Sequence, residues 1–131
     1  MIMSNIATSI VQSKHLLELG LSKETANMSY SEEYFGKDKD GNDEWCWRLN
    51  ACKFVDVEGI IPAWSLSALL EVMSKVTCIS YLTIDSSYLV RCKDLGFLWQ
   101  KDIAAKDPVI ASYEMVCWLL EQGFIKKGSK Q

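Results

Sequence analysis

Residues Asp107 to Gly123 constrain the fold more than any other stretch of this chain. Asp107 predicts a helix N-cap, because its carboxylate can accept an orphan backbone N–H. Pro108 then occupies the first helical position, where its missing N–H costs nothing. Gly123 predicts the stop, since a helix commonly ends on a left-handed residue that glycine adopts cheaply. Between them Val109, Ile110, Tyr113, Val116, Cys117 and Leu120 form one broad apolar stripe, which Phe124 continues past the cap. Each of these side chains stabilises by roughly 1.5–3 kcal/mol if fully buried, an upper bound that chain entropy largely offsets. The same helix is apolar on its other side, where Ala111, Met115, Trp118 and Leu119 stand where a helix covering a sheet should be polar.

The rest of the chain falls into short alternating elements. Ile6, Ile10, Val11, Leu16, Leu17 and Leu19 predict a first helix from Ser4 to Gly20, and Ser22 caps a further short turn through Ala26. Polar turn chemistry from Gly36 to Glu44, with Asp40-Gly41 at the tip, predicts a β-hairpin. On its far arm Trp45, Trp47, Leu49 and Ala51 alternate with Arg48 and Asn50, so one face is expected to be buried and the other wet. Pro62 and Ser65 predict the opening of a second helix, Ser65 to about Ser74, with Leu66, Leu69, Leu70 and Met73 as its stripe. Val76–Ile84 and Tyr88–Lys93 are rich in β-branched and aromatic residues and predict a second hairpin around Asp85-Ser86-Ser87. Gly96–Trp99 predicts one more short strand. The order α-β-β-α-β-β-(β)-α implies an α+β fold in which an antiparallel sheet of four to five strands carries about three helices. With 131 residues and no linker or repeat, residues 1–131 read as a single domain.

Composition excludes several classes of function. A net charge of −3 leaves no basic face to neutralise phosphates, which argues against nucleic acid, and Lys126, Lys127 and Lys130 read as a solubilising tail. No apolar run spans a membrane and no export signal opens the chain. Five cysteines, odd in number and without a C-x-x-C pair, predict a reduced cytoplasmic protein with buried thiols.

Three blocks of the chain resemble a known family. They are Pro62–Glu71, Tyr113–Gly123, and the run from Ser13 to Leu21 with Thr25-Ala26-Asn27-Met28. The family is one of short bacterial proteins often encoded near prophage or other mobile-element genes, and it has no assigned activity. The resemblance implies a bacterial cytoplasmic setting and brings no catalytic residues with it. The acidic hairpin tip and the segment Lys93–Lys106 match no block of the family.

No stretch carries a chemical signature. The acidic cluster Asp38, Asp40, Asp43 and Glu44 fails calcium-loop spacing, because with Gly41 at the sixth position Gly36 and Trp47 fall where ligands are required. His15, the single histidine, sits on a helix with nothing placed to work with it. Cysteine spacing excludes a zinc finger, and Glu114, Glu121 and Glu71 read as solvated helix edges. No metal, no cofactor and no catalytic residue is therefore expected. The apolar excess on the last helix is either covered by the first helix or the segment Lys93–Lys106, or it marks a small non-catalytic domain that self-associates or binds another protein, with Ala111, Met115, Trp118 and Leu119 as its interface. The alternative is a small enzyme or ligand-binding domain whose site gathers distant residues such as Glu71, Tyr81, Tyr88 and Arg91.

Overall fold

The computed structural model describes residues 6–52, 58–96 and 98–127. Helix α1 runs Ile10–Glu18, then β1 Met28–Lys37, β2 Asp43–Asn50 and β3 Ile61–Ala63. Helix α2 (Leu66–Ser74), β4 (Thr77–Ile84), β5 (Ser87–Asp94), β6 (Gln100–Ala105) and α3 (Pro108–Glu121) follow. The fold is α+β, as expected, but its strands form two antiparallel sheets of three, ordered β2-β1-β3 and β4-β5-β6. A single sheet of four to five strands is corrected by the pairing. β1 is occupied by β2 on one side and β3 on the other, and β5 by β4 and β6, so the two hairpins never meet. Strand β3 is missed from sequence because Pro62 reads as a helix opener. A proline fits a strand at a sheet edge, where its nitrogen faces away from the ladder. The last strand begins at Gln100, beyond the expected Gly96–Trp99; Phe97 of that stretch lies outside the described residues.

Local chemistry sets the helix bounds. Helix α3 starts where the sequence predicts, with the Asp107 side chain accepting from the backbone N–H groups of Val109 and Ile110. It gives way to Gly123 at a φ of 81°. Helix α1 starts later than Ser4, because Ser9 takes the cap and exchanges hydrogen bonds with Gln12 in a capping box. Residues Ala7 and Thr8 are extended instead; Ala7 bridges to Ser65, and the Thr8 N–H donates to the Trp64 carbonyl at 2.9 Å. Ile6 and Val11, expected on the buried stripe, are exposed. The turn after α1 is a short 3₁₀ segment, Lys23–Thr25, capped by Ser22.

The core gathers Leu16 of α1, Trp64 just before α2, Leu69 and Met73 of α2, Val90 and Cys92 of β5, and Val109, Ala111, Met115, Val116, Cys117, Leu119 and Leu120 of α3. Both sides of α3 are buried because α2 packs on it, β5 and β6 lie against it, and the chain beyond Gly123 folds back over its end. There the N–H groups of Phe124 and Ile125 both donate to the Leu119 carbonyl. Two of the five thiols, Cys92 and Cys117, are buried; Cys46, Cys52 and Cys78 are exposed, contrary to the expectation of buried thiols throughout. Among the described residues no helix is long and apolar enough to cross a membrane.

Candidate interaction surface

The residues expected to form an interface do not share a surface. Ala111, Met115 and Leu119 have no exposed area, because α2 and the second sheet cover that side of α3. Trp118 keeps partial exposure and belongs to an aromatic cluster. It meets Trp99 edge-on at 5.4 Å and Phe124 at 5.7 Å, with Lys101 Nζ 5.4 Å above its ring. A partner could therefore touch Trp118 and none of the other three.

An exposed aromatic surface lies elsewhere, on the β1–β2 hairpin. Residues opposed across an antiparallel pair project from the same face. The register opposes Tyr30 to Leu49, Glu32 to Trp47 and Tyr34 to Trp45, which puts these aromatic and aliphatic side chains together. The other face carries Ser29, Ser31 and Glu33 against Asn50, Arg48 and Cys46. The alternation read from sequence is correct, but the burial inferred from it is not: Tyr34 is 48% exposed, Trp45 56% and Trp47 43%.

Element lengths explain the difference. α2 and α3 pack against the second sheet, which leaves α1 as the helix beside the first. The nine residues of α1 span about 14 Å, while the ten of β1 reach about 33 Å. Only the near end of the hairpin is therefore tied to the core. There the Tyr30 hydroxyl donates to the Thr8 carbonyl at 2.8 Å, and burial raises its pKa. At the far end Tyr34 and Trp45 pack on each other, ring centres 5.1 Å apart. The tip is held by Asp38, whose Oδ1 accepts from the N–H groups of Asp40 and Asn42. That carboxylate is thereby used in the turn itself.

The other candidate residues carry little chemistry together. His15 stands 4.0 Å from Glu18 and edge-on to Tyr113 at 6.3 Å. Burial pushes the Cys117 thiol up to about 11, the wrong direction for a nucleophile. Glu71 and Tyr81 line one shallow depression, and Tyr81 stacks on Tyr88 at 6.0 Å. Arg91 projects from the opposite face of that sheet, held by Asp102 at 2.9 and 3.0 Å, so it joins neither tyrosine. The Asp102 pKa is lowered by the hydrogen bond from Arg91. A groove of about 440 Å³ lies between the 3₁₀ turn and α2, lined by Glu24, Asn27, Ser67, Glu71 and Lys75. In it Asn27 is engaged with Ser65, and Ser65 with Ser67. Glu114 and Glu121 are exposed. Among the described residues no three His, Cys, Asp or Glu side chains converge as a metal site.

Comparison with protein-family models, with curated proteins and with solved structures finds no match to this chain.

Proposed function

We propose that this protein is a non-catalytic interaction domain, self-associating or holding a protein partner through the aromatic face of its β1–β2 hairpin. The observation that carries this reading is the exposure of Tyr34, Trp45 and Trp47 side by side on a strand pair that extends beyond the core. Tryptophan and tyrosine supply much of the binding energy at protein interfaces, because each buries a large area with little rotamer entropy to lose. Nucleic acid is disfavoured as the partner. Between Met28 and Asn50 the hairpin carries six acidic and three basic side chains, and Glu32 sits within the aromatic face. The resemblance to short bacterial prophage-associated proteins fits an accessory role in the bacterial cytoplasm.

The test is native mass spectrometry of the protein taken gently from its host, beside a Trp45→Ser/Trp47→Ser double variant. The two indoles lie outside the core, so the variant should fold with unchanged circular dichroism. The expected result is an assembled wild type and a monomeric variant. An assembly of unchanged mass in the variant would overturn the reading, as would a wild-type monomer carrying a small-molecule adduct.

A further inference from the structure

Strand β2 ends its sheet, and no described strand pairs with its outer side. The groups presented there follow from Pro62. Having no N–H, Pro62 turns its nitrogen to the open side of β3, so its partner Ser29 directs its own N–H and C=O towards β2. Backbone groups alternate along an antiparallel strand. Ser29, Ser31 and Glu33 therefore bond to Asn50, Arg48 and Cys46, and the N–H and C=O groups of Trp45, Trp47 and Leu49 face outwards. Such an edge is a template for another strand unless proline, a bulge or an inward charge blocks it. β3 has its proline; β2, Asp43-Glu44-Trp45-Cys46-Trp47-Arg48-Leu49-Asn50, has no proline, the register shift between Tyr34 and Lys37 puts its extra residue on β1, and the edge charges Glu44 and Arg48 are of opposite sign.

We infer that a second copy of this chain occupies that edge, β2 against β2 in antiparallel register about a two-fold axis at Cys46, giving one sheet of six strands. This rests on the interaction reading above and names its partner. A two-fold axis normal to the sheet keeps both aromatic faces on one side, and it requires opposed residue numbers to have an even sum. Centring on Trp45 opposes Glu44 to Cys46 and Arg48 to Asn42. Centring on Trp47 opposes Glu44 to Asn50 and Cys46 to Arg48. Centring on Cys46 opposes Glu44 to Arg48 of the other copy, twice, and makes Trp45 face Trp47, twice. Of these three registers it alone pairs unlike charges, and cross-strand charge and aromatic pairs both stabilise a sheet. Arg48 already meets Glu33 of its own chain at 3.2 Å, so Glu44 of the other copy completes an acidic flank on each side of the guanidinium. The two Cys46 side chains then oppose each other at a non-hydrogen-bonded pair, where Cα atoms stand about 4.5 Å apart, within disulfide reach.

The experiment uses two charge variants and one trap, read by sedimentation velocity and intact mass. Arg48→Glu and Glu44→Arg are each expected to dimerise about tenfold or more weakly than wild type, since like charges then meet at both ends of the pairing. An equimolar mixture of the two should recover the wild-type dimer, because the acidic edge of one matches the basic edge of the other. In a Cys52→Ser/Cys78→Ser chain, diamide should join the two Cys46 sulfurs, taking up both thiol hydrogens as the S–S bond forms. A wild-type dimer that ignores both charge changes and gives no Cys46 cross-link overturns the β2 pairing while the interaction reading stands. A wild type that stays monomeric at its highest soluble concentration, or assembles only with a different protein, overturns the second copy as occupant. In those cases the Trp45/Trp47 variant alone judges the interaction reading.

Discussion

The indole N–H of Trp64 donates to the Thr25 hydroxyl at 2.9 Å, and the Thr25 hydroxyl in turn donates to the Ser22 carbonyl at 2.7 Å. Trp64 has no exposed surface, so its one polar atom depends on a residue 39 positions away. Its backbone is held as well, with its N–H donating to Thr8 Oγ1 at 3.1 Å. The tryptophan thus fastens the 3₁₀ turn and the extended residues before α1 to the start of α2. Thr25→Val keeps the shape and leaves the buried indole N–H without its acceptor, which should cost about 1–3 kcal/mol. Urea unfolding should show that loss, with the mass of the native assembly unchanged.

Ser112 presents the opposite case. Its side chain is fully buried on α3, and its hydroxyl has no hydrogen-bond partner among the described residues. Ser112→Ala removes an unsatisfied polar group and substitutes a better helix former, so the variant should be stabilised by about 0.5–1 kcal/mol. Thermal unfolding checks it; a clear fall in melting temperature would mean that the hydroxyl is satisfied in solution.

The parts of this fold legible in the sequence are those set by residues near each other along the chain. Asp107, Pro108 and Gly123 bound α3, Ser65 caps α2 and Ser22 caps the short turn, because capping acts over three or four residues. The hairpin turns were legible for the same reason. What escaped was set by distance. Whether Met115 or Trp47 is buried depends on how many elements remain to cover it. In the fold α3 has α2, β5 and β6 around it, while none of the described helices packs along the far half of the hairpin. Periodicity marks an apolar face but does not say what lies over it. Comparing the length of β1 with that of α1 could have signalled the exposed tryptophans. Pro62 hid β3 altogether, since an edge strand of three residues has no pattern of its own.

Cys117 gives the protein a pH dependence of defined sign. Burial raises its thiol from an ordinary 9.0 to about 11, beside the Tyr113 hydroxyl and the carboxylates of Glu121 and Glu114. Between those two values the unfolded chain releases a proton that the folded chain keeps. This contribution to stability is therefore whole below pH 9 and is lost as pH rises through 11, at no more than about 1.4 kcal/mol per pH unit. The buried Cys92 shifts in the same direction. Urea midpoints measured from pH 8 to 11 should fall, and Cys117→Ser should make the fall shallower. In the native state at pH 8 a thiol reagent should label Cys46, Cys52 and Cys78 quickly, and Cys92 and Cys117 at the rate of unfolding.

Strand β4 is the other long open edge, and it differs from β2 in a testable way. Its residues, Thr77-Cys78-Ile79-Ser80-Tyr81-Leu82-Thr83-Ile84, include no charge and no proline, and Leu82 and Ile84 are exposed on the face turned away from the helices. A strand of this composition promotes disordered edge-to-edge association, because it offers backbone groups without any charge pattern to fix a register or repel a wrong partner. Leu82→Lys places a charge opposite Leu89, where the side chain can reach solvent. The variant should scatter less light on heating and stay soluble at higher concentration, with its unfolding midpoint nearly unchanged. Its native assembly should match wild type in mass, since β2 lies in the other sheet. If Leu82→Lys dissolved the wild-type dimer instead, β4 would be the edge that joins two copies.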